Sequence, residues 1–387
     1  MAFFVAMHYD AAMQQNSAEK RVLVLQGGGA LGAYQAGAYE ALMAAGQEPE
    51  WIAGISIGAI NAAIIAGNAP EARVKKLREF WEKLSSGLQG ASLIPGTEGR
   101  SLFNEMSSWM ATIFGIPGFY SPRLISPLLS WPGTASALSF YDTSPLRDTL
   151  NEIVDFDLLN SGKMRLSVGT VNVRNGNFRY FDTTKDKITA DHILASGALP
   201  PGFPPVYIEG EYYWDGGLVS NTPLYHVIDS ANPADSLCIY QVDLFSARGV
   251  LPTNIMEAAE REKEIRFSSR TRMITAAAES EHRLLMAAQN LLKKLPENLR
   301  NDPDAKLLMQ NARVSAITVM HIINRPTATD TQSKDYEFSR LSMEEHWADG
   351  HKDVVSSLNS KAWKNRTVPA NGMVTFDHGR KPKNEFD

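Results

Sequence analysis

The sequence predicts an α/β fold built on a mainly parallel sheet. Its first 70 residues alternate strand, turn and helix twice. Short, β-branched, apolar runs recur far downstream, at 163–173, 236–243 and 314–323. The hydrophobic fraction of 44% and charged fraction of 21% are those of a globular chain. Such alternation asks for parallel strands with helices covering them, and 387 residues are enough to bury a large core without staples.

Residues 1–20 read as an N-terminal arm, with no basic segment ahead of their short apolar stretch. Arg21–Leu25 is a buried-type strand that runs into the turn Gln26-Gly27-Gly28-Gly29. Small helix formers then fill Ala30–Ala45 up to Gly46, a helix stop. Trp51–Ile55 reads as a second strand, and Ile57–Ala66 as the helix after it. Residues 71–84 alternate as an amphipathic, charged helix.

Residues 86–140 read as an insertion. Between Ser101 and Pro132 the only charges are Glu105 and Arg123, beside Phe103, Trp109, Phe114, Phe119, Tyr120 and Trp131. Glycines and prolines interrupt this stretch, so it is not one helix. Its low charge suits either an acyl channel or membrane contact on one side, or a core cap or dimer contact on the other.

Asn175-Gly176 marks a hairpin between Lys163–Val173 and Phe178–Phe181. A short helix at Asp191–Leu199 stops at a proline loop, and Val206–Ile208 with Glu211–Trp214 forms a second hairpin. Ser236–Asp243 and Val314–Ile323 are further strands. Asn254–Leu295 reads as a long helical tract with one break, its apolar stripe at 273–295 packed in the core. Lys334–Leu358 reads as mostly helical, and the polar tail from 361 to 387 as flexible. The expected organisation is an arm (1–20), a catalytic region (21–245), an extension (246–360) and the tail.

A net charge of −5 gives no reason to expect a nucleic-acid partner. The single cysteine, Cys238, allows neither an intramolecular disulfide nor a four-thiolate zinc site. No metal or cofactor is expected. No run of about 18 apolar residues is present, so a cytoplasmic protein with peripheral membrane contact is the expectation. Oligomeric state stays open.

Gly54-Ile55-Ser56-Ile57-Gly58 places a serine between glycines where a strand passes into a helix. This is the pattern of a nucleophile elbow, a turn so sharp that it pushes the hydroxyl out at a helix N-terminus. Gly27-Gly28-Gly29-Ala30-Leu31-Gly32 is a nest of amides at another helix start, suited to an anion. A phosphate or dinucleotide competes there with an oxyanion. The second strand, however, ends without the acidic residue a dinucleotide needs, and no Gly-Lys-Ser/Thr follows. Adjacent parallel strands would bring both turns to one sheet edge, which favours the oxyanion. Trp214-Asp215-Gly216-Gly217 puts a carboxylate at a strand end. His192, His226 and His321 read as structural.

Taken together, Gly27–Gly32, Gly54–Gly58, Ala195-Ser196-Gly197-Ala198-Leu199-Pro200 and Asp215–Gly217 resemble, in order and spacing, the motifs of patatin-like phospholipases. The resemblance covers about residues 20–245. The later segment Lys334–Met343 is similar to a C-terminal extension on one bacterial branch of that family. It implies a three-layer α/β/α sandwich with a mostly helical C-terminal extension. It also implies a lipid or fatty-acyl ester substrate, Ser56 as nucleophile and Asp215 as its general base, with no histidine. Amides of Gly27, Gly28 and Gly29 would form the oxyanion hole, with Gly32, Gly54, Gly58, Gly216 and Gly217 as supporting positions. Two departures stand out. Leu31 occupies a position where the family often carries Arg or Lys, and the third motif is Asp-Gly-Gly rather than Asp-Gly-Ala. Acyl transfer to another acceptor, thioester hydrolysis and non-catalytic lipid binding on the same fold are the rival readings.

Overall fold

A computed structural model describes residues 19–87, 96–249, 251–311, 315–325, 334–369 and 372–377. The arm at 1–18 therefore lies outside the described residues.

The sheet has nine strands. In chain order they are β1 (Lys20–Leu25), β2 (Trp51–Gly54), β3 (Arg165–Asn172), β4 (Phe178–Asp182), β5 (Val206–Ile208), β6 (Glu211–Asp215), β7 (Ser236–Asp243), β8 (Ala316–Ile323) and β9 (Gly372–Asp377). Across the sheet they run β9-β8-β7-β1-β2-β3-β6-β5, with β4 pairing to β3. All pairs from β9 to β3 are parallel. The hairpin strands β4, β5 and β6 are antiparallel to their neighbours.

The apolar runs are continuous because both faces of the sheet are covered. Successive side chains alternate between the faces. Leu23, Leu25, Ile52, Tyr240, Val242 and Ile322 join one core. Val22, Val24, Ala53, Leu237, Ile239 and Val319 join the other. The first core takes the helices α1 (Gly32–Ala44), α2 (Ile57–Ala66) and α3 (Arg73–Leu84). The second takes Leu224 and Val227 from a short helix. This is the three-layer α/β/α arrangement.

In the insertion, Gly96–Phe114 forms a helix, α4, which ends at Gly115 with φ of 81°. Phe119 and Tyr120 turn into the core. Trp109, Phe114, Leu124, Leu128, Leu129 and Trp131 remain exposed. The short helix read at 191–199 is α5 (Ala190–Ser196).

Three expectations need correction. The tract expected to break once is a single helix, α6 (Ile255–Leu292), which has no internal glycine or proline to interrupt it. Its apolar residues are not mainly core. Ala278 is buried, but Met273, Leu284 and Leu291 are exposed, because the helix rests on the body along one narrow line. In the tail expected to be flexible, the described residues form a short helix at Lys361–Lys364 and the edge strand β9, while 378–387 lie outside the described residues. Trp363 anchors it, buried against Tyr240 and Phe376. The helix before it, α7 (Arg340–Asn359), follows a 3₁₀ turn at Lys334–Tyr336. No helix among the described residues is long and apolar enough to cross a membrane.

Candidate active site

β1 and β2 lie side by side in parallel, with Leu25 paired to Gly54, so the turns that follow them leave the same sheet edge. Ligand sites of open α/β sheets form at the carboxyl ends of strands. The two glycine motifs meet there.

The turn after β2 is as sharp as its sequence requires. Ser56 has φ of 56° and ψ of −124°, a conformation costly for a residue with a side chain and found where function demands it. A side chain at Gly54 would put its Cβ 2.4 Å from the Gly58 carbonyl oxygen, and one at Gly58 would sit 2.4 Å from that of Leu25. Both glycines are thus needed for the chain to double back over β1. The elbow ends in the buried helix α2, whose positive end lies beside the Ser56 side chain.

Ser196, at the end of α5, holds the elbow in place. Its Oγ accepts the Ser56 N–H at 3.0 Å and donates to the Gly169 carbonyl at 2.7 Å. β3 thereby braces the strained turn through one hydroxyl.

Asp215 ends β6, where it pairs with Thr170, and is 3% exposed. Gly217 N–H donates to its Oδ1 at 2.7 Å. Burial pushes the Asp215 carboxyl up to about 7, while hydrogen bonds from Gly217 and from the Ser56 hydroxyl pull the other way. Gly216 lets this turn press on β3, since a Cβ there would be 2.7 Å from the Gly169 carbonyl oxygen.

Asn221 ties the third motif to the first. Its Nδ2 donates to the Gly27 carbonyl at 2.9 Å, and Gly27 N–H donates to the Asn221 carbonyl at 3.2 Å. A Cβ on Gly27 would lie 2.4 Å from Asn221 Oδ1 and 3.1 Å from Ser56 Cβ, so the first turn passes directly against the serine. Gln26 anchors the same turn from below, accepting from Leu244 N and Phe245 N and donating to Thr222. Gly28 and Gly29 follow, Gly29 with φ of 56°. Among the described residues, the amides of Gly28 and Gly29 donate to no protein acceptor. Gly32 brings α1 onto α2, where a Cβ would meet Ile57 at 2.4 Å.

All residues singled out in the three motifs therefore converge, while the histidines do not join them. His192 closes a capping box with Thr189. His226 stacks on Tyr180 at 3.7 Å, and His321 lies 3.5 Å from Asp243. Sequence reasoning missed the roles of Ser196 and Asn221. Ser196 lay inside a block already singled out, whereas Asn221 carried no signal of its own.

Beside these turns, Phe119, Tyr120, Tyr141, Phe203 and Phe338 form an aromatic cluster with ring centroids 4.8–6.1 Å apart. Tyr120 and Phe338 also line a cavity of about 320 Å³, together with Met110, Ala111, Phe114 and Ile116.

No curated protein matches the chain. Among solved structures, VipD from Legionella pneumophila shares 15% identity, with a TM-score of 0.41, over 88% of this chain and 66% of that one. The type III effector ExoU shares 15% identity, with a TM-score of 0.30, over 87% and 52%. The chain thus spans slightly less than two thirds of VipD and about half of ExoU. A family model described as a patatin phospholipase matches residues 265–370. The patatin-like phospholipase model matches residues 23–228, which take in the end of β1, the elbow, Asp215 and Asn221. With more than half of its length matched there, the chain belongs to the patatin-like phospholipase family, as its motifs implied.

Proposed function

We propose that the protein is a lipid acyl hydrolase in which Ser56 attacks the ester carbonyl and Asp215 takes its proton. The observation that carries this reading is the Ser56 hydroxyl, presented on a strained turn, facing a fully enclosed carboxylate whose affinity for protons burial has raised to about 7. An ordinary carboxylate is a poor base for an alcohol. One that ionises near neutral pH suits general-base work.

The attack breaks the carbonyl π bond and places negative charge on its oxygen. The amides of Gly28 and Gly29 take that charge; Gly27, expected to share it, has its N–H committed to the Asn221 carbonyl, and the Ser56 amide is committed to Ser196. Collapse of the tetrahedral intermediate expels the alcohol, which recovers the proton from Asp215. Water, deprotonated by the same carboxylate, then releases the acid and regenerates Ser56. Donors already aimed at the oxyanion account for a large share of such rates, about 3–4 kcal/mol for one donor.

The acyl chain occupies the cavity lined by Met110, Phe114, Ile116 and Phe338. The exposed apolar residues of 109–131, of which Met110 and Phe114 line it, dock on a lipid surface, where indole rings are favoured. Ser56→Ala and Asp215→Asn are each expected to lower p-nitrophenyl ester turnover by at least a thousandfold with an unchanged circular dichroism spectrum. A fluorophosphonate is expected to label Ser56. Near-normal turnover by either variant, or a label on another serine, rejects the mechanism.

A further inference from the structure

The C-terminal extension reaches the same site. Its segment Lys334–Tyr336 lies on the first glycine turn so closely that a Cβ on Gly29 would be 2.2 Å from the Asp335 carbonyl oxygen. Two ion pairs to α6 fix this segment. Lys334 and Glu264, both buried, approach to 2.7 Å, and Lys263 pairs with Asp335. On its other side Phe338 stacks on Trp81 at 6.5 Å and packs on Phe119.

Tyr336 sits between these anchors. Its ring lies 5.1 Å from the Lys263 ammonium, close enough for cation–π attraction. The residue is 45% exposed, and among the described residues its hydroxyl has no hydrogen-bond partner. Desolvation by the surrounding chain, then Asp335, Tyr141 and Asp215 nearby, push its pKa up, so the hydroxyl stays protonated and able to donate. It is therefore a polar donor on the segment that presses against the first glycine turn, two residues before the Phe338 ring of the aromatic cluster.

We propose that Tyr336 is a substrate-positioning residue supplied by the extension, its hydroxyl donating to an oxygen on the alcohol side of a glycerol-type ester. The assignment rests on the acyl-transfer reading of Ser56 and Asp215. The apolar cavity takes the acyl side, and Tyr336, half-exposed and not among the residues that line it, is left for the oxygen-rich alcohol. It also gives this chain a way to recognise the alcohol portion although Leu31 carries no charge in the first motif.

The test is calorimetric binding of two non-hydrolysable probes to the full chain and its Tyr336→Phe variant. Hexylglycerol ether carries glycerol oxygens, and hexanol has the same tail without them. The variant is expected to bind hexylglycerol ether about three- to tenfold more weakly, the effect of losing one hydrogen bond, and hexanol within about twofold of wild type. For hydrolysis of a monoacylglycerol, KM is expected to rise with kcat nearly unchanged. Equal binding of hexylglycerol ether by both proteins, an equal loss for hexanol, or no binding of either probe by wild type overturns the proposal. Fluorophosphonate labelling of Ser56, run in parallel, reports separately on the acyl-transfer reading.

Discussion

Asp215 is where the physics of one residue decides most. The folded chain keeps it at 3% exposure and raises its pKa to about 7, against about 4 in an unfolded chain. Ester turnover is therefore expected to fall as pH drops through about 7, because the base becomes protonated. Stability should move the other way. The native state binds the proton more tightly than the unfolded state, so stability declines as pH rises from about 4 to about 7. Asp215→Asn keeps an acceptor for Gly217 N–H and removes the buried charge. It is expected to raise the melting temperature at pH 8 and leave it nearly unchanged near pH 4. Melting curves across that range check the sign, and a variant less stable than wild type at pH 8 contradicts the account. The serine side of the pair follows the same economy of parts, since Ser196 both receives the Ser56 amide and anchors itself on β3.

Secondary-structure elements meet most closely where α1 crosses α7. A Cβ on Gly37 would lie 1.9 Å from the Trp347 carbonyl oxygen, and one on Gly350 would lie 2.0 Å from that of Tyr34. Tyr34 donates to Asp353 at 2.7 Å and Trp347 to Glu40 at 2.6 Å, which fixes the register of the crossing. Gly350→Val is expected to force the helices apart and cost about 1–3 kcal/mol, read as a lower denaturant midpoint. Because α1 starts at the first glycine motif, the variant should also slow fluorophosphonate labelling. No sequence pattern announced this crossing: a glycine inside a helix reads locally as a weakness, and its use depends on a partner some 300 residues away. The elbow was legible for the opposite reason. Every clash that demands Gly54 and Gly58 arises within the strand, the turn and the neighbouring β1, so the residues themselves carry the message. The meeting of Ser56 with Asp215 was legible only through the family resemblance. The rise of the Asp215 pKa was not, because it comes from what encloses the carboxyl. Nor was the reach of Tyr336 to the site, which depends on ion pairs with α6. β9 was hidden in a polar tail because an edge strand needs few apolar residues.

Viewed as a whole, the molecule concentrates exposed apolar side chains in one segment, the insertion. Trp131 is 84% exposed and Trp109 67%, with Leu124, Leu128 and Leu129 nearby in sequence. Such a concentration is unusual on a protein that has no use for it. Met110 and Phe114 of the same segment line the cavity assigned to the acyl chain, so docking and substrate capture would share one element. Co-sedimentation with phosphatidylcholine vesicles is expected for the wild type and to drop severalfold for Trp109→Ala/Trp131→Ala, while hydrolysis of a soluble short-chain ester is retained. Unchanged sedimentation of the double variant removes this segment from the interfacial role.

The sheet also bears on any attempt to divide the chain. β8 and β9 come from the C-terminal part, yet β8 pairs along its full length with β7, from Ala316 opposite Ser236 to Ile323 opposite Asp243. Cutting after Phe245 would strip β7 of that neighbour and leave a long row of bare amides and carbonyls on an apolar ribbon. Such a fragment would stick to its own copies before it could process any lipid. What looks like an appendage is the selvedge that keeps the cloth from unravelling.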